Sequence, residues 1–178
     1  MDFQVIFIHG PAAAGKHTIG TIVAERLGLP LFHNHLTVDL VKTLFDFGST
    51  EFIQLREQIW KSSFAVAAQA KRSFIFTFNP EVTVRPDLIV ELQNLIEQNG
   101  GQIVYVELLC SDGEVEKRID SPSRSKFGKL TDPLAFRQFN EAGSFDFPPL
   151  PASVIAVDTE QLTPEASAEA IIRVLKQR

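Results

Sequence analysis

Gly10-Pro11-Ala12-Ala13-Ala14-Gly15-Lys16-His17-Thr18 is the stretch that decides how this chain reads. It follows the apolar run Val5-Ile6-Phe7-Ile8, whose β-branched and aromatic residues predict a buried strand. Beyond Lys16, the residues Ile19, Ile22, Val23 and Leu27 return near a 3.6-residue period, so a helix opens there and Gly28 closes it. Gly, four residues, Gly and Lys between a strand and a helix is an arrangement that binds phosphate. The glycines let the backbone curl so that successive N–H groups converge on phosphate oxygens. The helix start adds the positive end of its dipole, and Lys16 brings a mobile cation. Gly10, Pro11, Ala12, Ala13, Ala14, Gly15, Lys16, His17 and Thr18 are therefore the expected phosphate-binding residues.

One position departs from the common pattern. Ser or Thr usually follows the Lys directly, where its hydroxyl holds Mg²⁺. Here that place is taken by His17, and an imidazole is a poor ligand for a hard cation that prefers oxygen. Thr18, one place on, can still meet a phosphate or a metal-bound water, so Mg²⁺ is expected to reach the protein there.

The chain has 178 residues, one domain's worth, and its 44% hydrophobic and 22% charged residues are ordinary for a globular protein. A net charge of −5 argues against a general nucleic-acid binder, which is usually basic. The single cysteine, Cys110, forbids an internal disulfide and a cysteine-rich zinc site, and it reads as a buried residue at a strand end. The N-terminus carries Asp2 and no basic leader, and no apolar run approaches the ~18 residues that cross a bilayer. A cytoplasmic protein with no membrane contact is expected. No feature specifies an oligomeric state.

Strands and helices alternate along the whole chain. Further strands are predicted at Leu29–Phe32, Phe74–Phe78, Ile103–Leu109 and Val154–Asp158. Helices are predicted over Leu36–Phe45, with Leu36, Leu40, Val41, Leu44 and Phe45 on the apolar face, and over about 51–71, capped by Ser49 or Thr50. Others run over Leu88–Gln98, from Ser111-Asp112 to Ile119, and from Thr163-Pro164-Glu165 to the end. Five apolar strands alternating with helices make an α/β layered fold on a parallel sheet. The stretch from Asp120 to Leu150 breaks the rhythm, with Arg124, Lys126 and Lys129 among Ser, Gly, Pro and Phe. A connection this long is either a solvated basic loop or a lid that closes over a nucleotide and excludes water. The lid reading places Arg124 against the transferring phosphoryl group.

Together these parts resemble the nucleoside-monophosphate-kinase-like branch of P-loop proteins, which includes adenylate, shikimate and gluconate kinases and chloramphenicol phosphotransferases. The likeness is most specific at Gly10–Thr18, where Gly-Pro…Gly-Lys-X-Thr resembles the adenylate kinase loop. It covers most of the chain as an order of parts: loop, acceptor-side helices over about 33–72, lid over about 120–150, and an Asp158-Thr159 turn into the last helix. The resemblance implies a single three-layer P-loop domain over 1–178 with strand order 2-3-1-4-5, binding ATP and Mg²⁺. It also implies that Arg118, in Ser111–Ile119, lies against the nucleotide, although a surface arginine beside Glu114 is an equal reading.

No subfamily signature identifies the phosphoryl acceptor. Phe78-Asn79-Pro80-Glu81 stands where adenylate kinases carry an Asp-Gly-aromatic-Pro-Arg turn and shikimate kinases a run of glycines. No Walker B acid ends the third strand. Chemistry instead points to His33, His35 and Asp39, just past the carboxyl edge of the sheet where α/β proteins bind ligands. His35 and Asp39 are four apart, so on a helix they share a face, and one can orient an acceptor hydroxyl while the other takes its proton. Capping and packing of the helix start is the alternative role for all three. A metal site of His33, His35 and Asp39 lacks the usual spacing. Arg56 reads as an exposed helix residue or as an anchor for an anionic acceptor, and Phe32, Phe45, Phe47 and Trp60 read as core.

The leading function is transfer of the γ-phosphoryl group of ATP to a hydroxyl or phosphate of a small acceptor. In that reading Lys16, His35, Asp39 and Arg124 carry the chemistry. A nucleotide-binding sensor or regulatory protein without transfer activity is the alternative, favoured by His17 and the missing Walker B acid. A motor-type ATPase fits poorly, because no second acidic motif or arginine finger is recognisable.

Overall fold

A computed structural model describes residues 3–120 and 130–178. Its elements run β1 (Gln4–His9), α1 (Lys16–Leu27), β2 (Leu31–His33), α2 (His35–Lys42), α3 (Thr50–Gln69), β3 (Phe74–Phe78), α4 (Pro86–Gln98), β4 (Gln102–Leu109), α5 (Asp112–Ile119), α6 (Pro133–Glu141), β5 (Ile155–Asp158) and α7 (Pro164–Lys176). The five strands are parallel in the order β2-β3-β1-β4-β5, as the resemblance implies. β1 lies at the centre, in register with β3 through Phe7 and Phe76 and with β4 through Phe7 and Tyr105.

Strand alternation sorts two cores onto the two faces of the sheet. Val5, Phe7, Phe74, Phe76, Phe78 and Tyr105 point to one side, where Trp60, Phe64 and Ala68 of α3 and Leu88, Ile89, Leu92 and Ile96 of α4 cover them. Ile6, Ile8, Ile75, Val106 and Leu108 point to the other, under Ile19 and Val23 of α1 and Ala168, Ile171 and Ile172 of α7. The rings on the first face meet at tilted or edge-on angles, which suit the quadrupoles of aromatic pairs. Phe64, for example, stands edge-on to Phe74 and Phe76 at 5.0 and 5.2 Å between ring centres.

Local chemistry explains most element ends. Gly28 takes φ 65° and closes α1. The Ser49 hydroxyl accepts from the Phe52 amide and opens α3, and Thr163 does the same for α7 toward Ala166. The second strand starts two residues later than Leu29, since Pro30 has no N–H to give a ladder and contributes only its carbonyl, to Ile75.

Two segments differ from the sequence-based expectation. In α2 the buried residues are Thr37, Val38 and Val41, packed against Phe52 of α3, while Leu36, Leu40, Leu44 and Phe45 are exposed. Of the expected face only Val41 is buried; β-branched Val38, not the leucines, joins it against α3. The region 120–150 is not plain connection either. Pro133–Glu141 is a helix, opened by the Asp132 carboxylate on the Leu134 amide, and Phe136 packs on Val115 and Ile119 of α5. Beyond it, the Val82 amide donates to the Ser144 carbonyl, and Phe147 sits edge-on to Phe78. Asp132-Pro133 was a readable helix start. Arg124, Lys126 and Lys129 lie outside the described residues.

The aromatic face carries much of the stability. Phe64→Ala, at a fully buried ring, is expected to cost about 3–5 kcal/mol, read as a lower midpoint in urea unfolding at unchanged slope.

Candidate functional site

The phosphate-binding loop leaves the end of β1 with Gly10 at φ 150°, and a Cβ there would stand 2.3 Å from the Leu108 carbonyl oxygen. Only glycine fits so close to β4, so the chain turns directly over the carboxyl edge of the sheet. Ala13 holds a left-handed φ of 57° and Gly15 one of 85°, which curl the loop into the N-terminus of α1. For Ala13 this conformation costs about 1–2 kcal/mol, a strain typical of ligand-binding loops. The Lys16 ammonium donates to the carbonyls of Gly10 (2.7 Å) and Pro11 (2.6 Å) and to Oδ1 of Asn79 (3.2 Å).

Asn79 was not singled out by its residue type. Its place at the end of β3, where an acid is usual, was the readable signal. A neutral amide there binds the Lys16 amine without cancelling its charge.

Ala12–Ile19 of the loop and α1 form one wall of a cavity of about 1070 Å³. Arg118, Thr159 and the turn into α7 extend this wall. Arg118 Nε donates to Glu114 (2.8 Å), and its terminal nitrogens donate to the Thr159 hydroxyl (3.2 Å) and carbonyl (2.9 Å). Arg118 pairs with Glu114, as one sequence reading has it, and it also lines the cavity. The opposite wall takes Asn34, His35, Val38 and Phe47 from the segment after β2, and Asn79, Glu81, Val82 and Thr83 from the segment after β3.

The histidines converge on the loop. The His17 ring stands edge-on to His33 at 4.7 Å, and His33 lies 6.4 Å from His35. His33 is buried, whereas His35 reaches the cavity. Asp39 sits half-buried one turn along α2 and is not part of the lining formed by the described residues. Among the described residues no group of three His, Cys, Asp or Glu side chains is placed to hold a metal ion. Thr18 lines the cavity from the first turn of α1, with an oxygen suited to a hard cation or its water. Arg124 lies outside the described residues.

Arg56 is neither exposed nor free to anchor an anion. It is fully buried between the rings of Phe52 and Trp60, at 5.3 and 5.2 Å, and donates to Glu81 (2.7 Å), to the Thr83 hydroxyl (2.9 Å) and to the Thr83 carbonyl (2.6 Å). Burial pulls its guanidinium below the ordinary arginine value, and Glu81 opposes this. Trp60 and Phe32 join the core as expected, but Phe45 and Phe47 are exposed, and Phe47 faces the cavity. Cys110 is half-buried just past β4, and burial pushes its thiol up, away from nucleophilic chemistry.

Solved structures with the same architecture include several kinases. An APS kinase from Mycobacterium tuberculosis, in complex with AMPPNP and APS, aligns with a TM-score of 0.67 at 12% identity, over 98% of each chain. A sugar kinase from Janibacter sp. HTCC2649 aligns at 0.64 and 17%, over 99% of this chain and 95% of that one. A shikimate kinase from Acinetobacter baumannii, in complex with shikimate, aligns at 0.59 and 18%, over 97% and 93%. The chain thus has the fold of P-loop small-molecule kinases. No protein-family model and no curated protein matches it. No helix among the described residues is long and apolar enough to cross a membrane.

His9, the last residue of β1, ties this site to the far end of the chain. It is buried, its Nε2 lies 2.9 Å from the Ser153 hydroxyl, and burial, aided by the Lys16 charge, pushes its pKa down to about 4. An unfolded histidine binds its proton near pH 6.5, so this contribution is complete above that value and is lost as pH falls toward 4. Between those limits wild type should lose about 3 kcal/mol more than His9→Gln, measured by urea unfolding at several pH values.

Proposed function

We propose that the protein is an ATP-dependent phosphotransferase that moves the γ-phosphoryl group to a hydroxyl or phosphate of a small acceptor. The observation that carries this reading is a cavity lined both by the phosphate-binding loop and by a second set of side chains, polar and apolar, from the segments after β2 and β3. A simple phosphate-binding site needs only the first wall. Two walls across one cavity let two reactants meet, which is where such enzymes gain most of their rate.

The N–H groups of the loop and the start of α1 bind the phosphates, and Lys16 swings from its carbonyl partners to the outer phosphate oxygens. Arg118 lies against the nucleotide, and Arg124 offsets charge on the transferring group. The acceptor oxygen attacks the γ-phosphorus in line, the bond to the β-phosphate oxygen breaks, and ADP leaves. For a hydroxyl acceptor, His35 takes the proton and passes it to water, with Asp39 as the alternative group one turn away. Bound Mg²⁺ would neutralise the phosphate oxygens, and Thr18, not His17, is the residue suited to hold it, directly or through water. Use of ATP as the donor places the protein in the cytoplasm.

A second reading, nucleotide binding without transfer, is favoured by one observation: Asn79, not an acid, meets Lys16 at the end of β3. Acceptor-stimulated ADP release separates the two. A broad hydroxylated and phosphorylated acceptor library should raise ADP release at least tenfold above the ATP-alone rate with at least one member, and Lys16→Ala should lower that rate at least 100-fold. Binding of ATP with no acceptor response in the library would select the non-catalytic reading.

A further inference from the structure

The acceptor wall carries a charge pattern that limits what it can receive. Arg56, the arginine closest to this wall along α3, is sealed at 0% exposure, with both terminal nitrogens committed to Glu81 and Thr83. Three of its five N–H donors are taken, and the other two, one on Nη2 and that of Nε, belong to a fully buried side chain with no surface in the cavity. Its effect is instead to fix Glu81. The Glu81 carboxylate accepts from Arg56 through Oε1, from the Thr83 hydroxyl, whose one proton is shared between both oxygens (2.6 and 2.7 Å), and from the Thr83 amide through Oε2 (3.3 Å), and it lines the cavity with a side-chain exposure of 13%. Three donors, from Arg56, the Thr83 hydroxyl and the Thr83 amide, meet about four lone-pair sites, so about one fixed acceptor site remains for a ligand.

A second group on the same wall has the same character. Asn34 lines the cavity, and its Oδ1 is buried beside it with no hydrogen-bond partner in the structure. Buried polar atoms of this kind are normally satisfied, so this one awaits a donor. Around these oxygens the wall is apolar: Val38, Val82 and Phe47, the last brought in by a turn whose Gly48 lies against the Thr83 side chain. The cation of this half among the described residues is Lys42, exposed at the end of α2.

From this arrangement we infer that the acceptor is a neutral or cationic hydroxyl-bearing molecule with an apolar flank, held by donation to Glu81 and Asn34, and not a carboxylate or phosphate. The inference rests on the phosphotransferase reading and names the substrate class of that same site. A polyol, an amino sugar or an aryl glycoside satisfies both oxygens through O–H or N–H donors while its carbon face covers Phe47 and Val82. An anion would meet the Glu81 carboxylate with like charge, which costs affinity instead of adding it. Arg56 and Thr83 are positioning residues here, and Glu81 determines specificity.

The test is acceptor-stimulated ADP release with matched probes that differ in charge: D-glucose, D-glucosamine and D-gluconate; phenyl β-D-glucoside and its glucuronide; adenosine and its monophosphate. Neutral or cationic members should outperform their anionic partners at least tenfold in kcat/KM. Glu81→Gln should raise KM for the preferred acceptor at least tenfold while kcat changes less than threefold, and it should erase any preference for the amino sugar. Arg56→Met/Glu81→Gln, which leaves no buried charge alone, should repeat the KM effect if Glu81→Gln does not fold. A preference for the anionic partners, or an acceptor KM unmoved in a variant that still binds ATP, overturns the inference and leaves the kinase reading standing. No response to any probe or to the broad library, with ATP bound, overturns the kinase reading and this inference with it.

Discussion

The close passage of Gly10 over the end of β4 is the constraint on which the rest of the site depends. With no side chain, the backbone comes so near Leu108 that the loop turns at the sheet's carboxyl edge instead of running past it. β1 is held on both sides, by β3 and β4, so the loop starts from the centre of the sheet. From there Ala13 and Gly15 complete the curl, and the Lys16 amine folds back onto the carbonyls where the loop began. The carbonyl dipoles and the Asn79 amide that meet this cation hold it at the mouth of the loop without carrying a negative charge of their own.

The acceptor wall is organised by a different principle. A buried arginine is costly unless paired, and Arg56 is compensated by Glu81, the Thr83 oxygens and two aromatic faces. That compensation has a structural return, since it ties α3 to the segment after β3 and holds the Glu81 carboxylate still. The chain beyond α6 adds a further tie through Ser144 and Phe147, so the wall opposite the loop is held from two directions.

Local signals carried much of this into the sequence. The loop was legible because its residues act through backbone curl and spacing, which neighbours in sequence set. The sheet was legible because parallel strands buried on both faces read as unbroken apolar runs such as Val5–Ile8. What tertiary contacts decide was not legible. Nothing near Arg56 in sequence says that Glu81 will meet it, and the apolar stripe of α2 marked Val41 but gave no hint that Val38, not the leucines, would join it on the buried side. Asn79 is an intermediate case, since its position after β3 was marked but its bond to Lys16 joins residues 63 apart.

The central claim is that Lys16 and the loop around it bind the phosphates of a nucleoside triphosphate. Calorimetric titration of ATP, with and without Mg²⁺, into wild type and Lys16→Ala tests it most directly. The account predicts saturable one-to-one binding that is at least 100-fold weaker in Lys16→Ala, with Mg²⁺ changing affinity or heat in wild type. Equal binding by both proteins, or none by wild type, would contradict it.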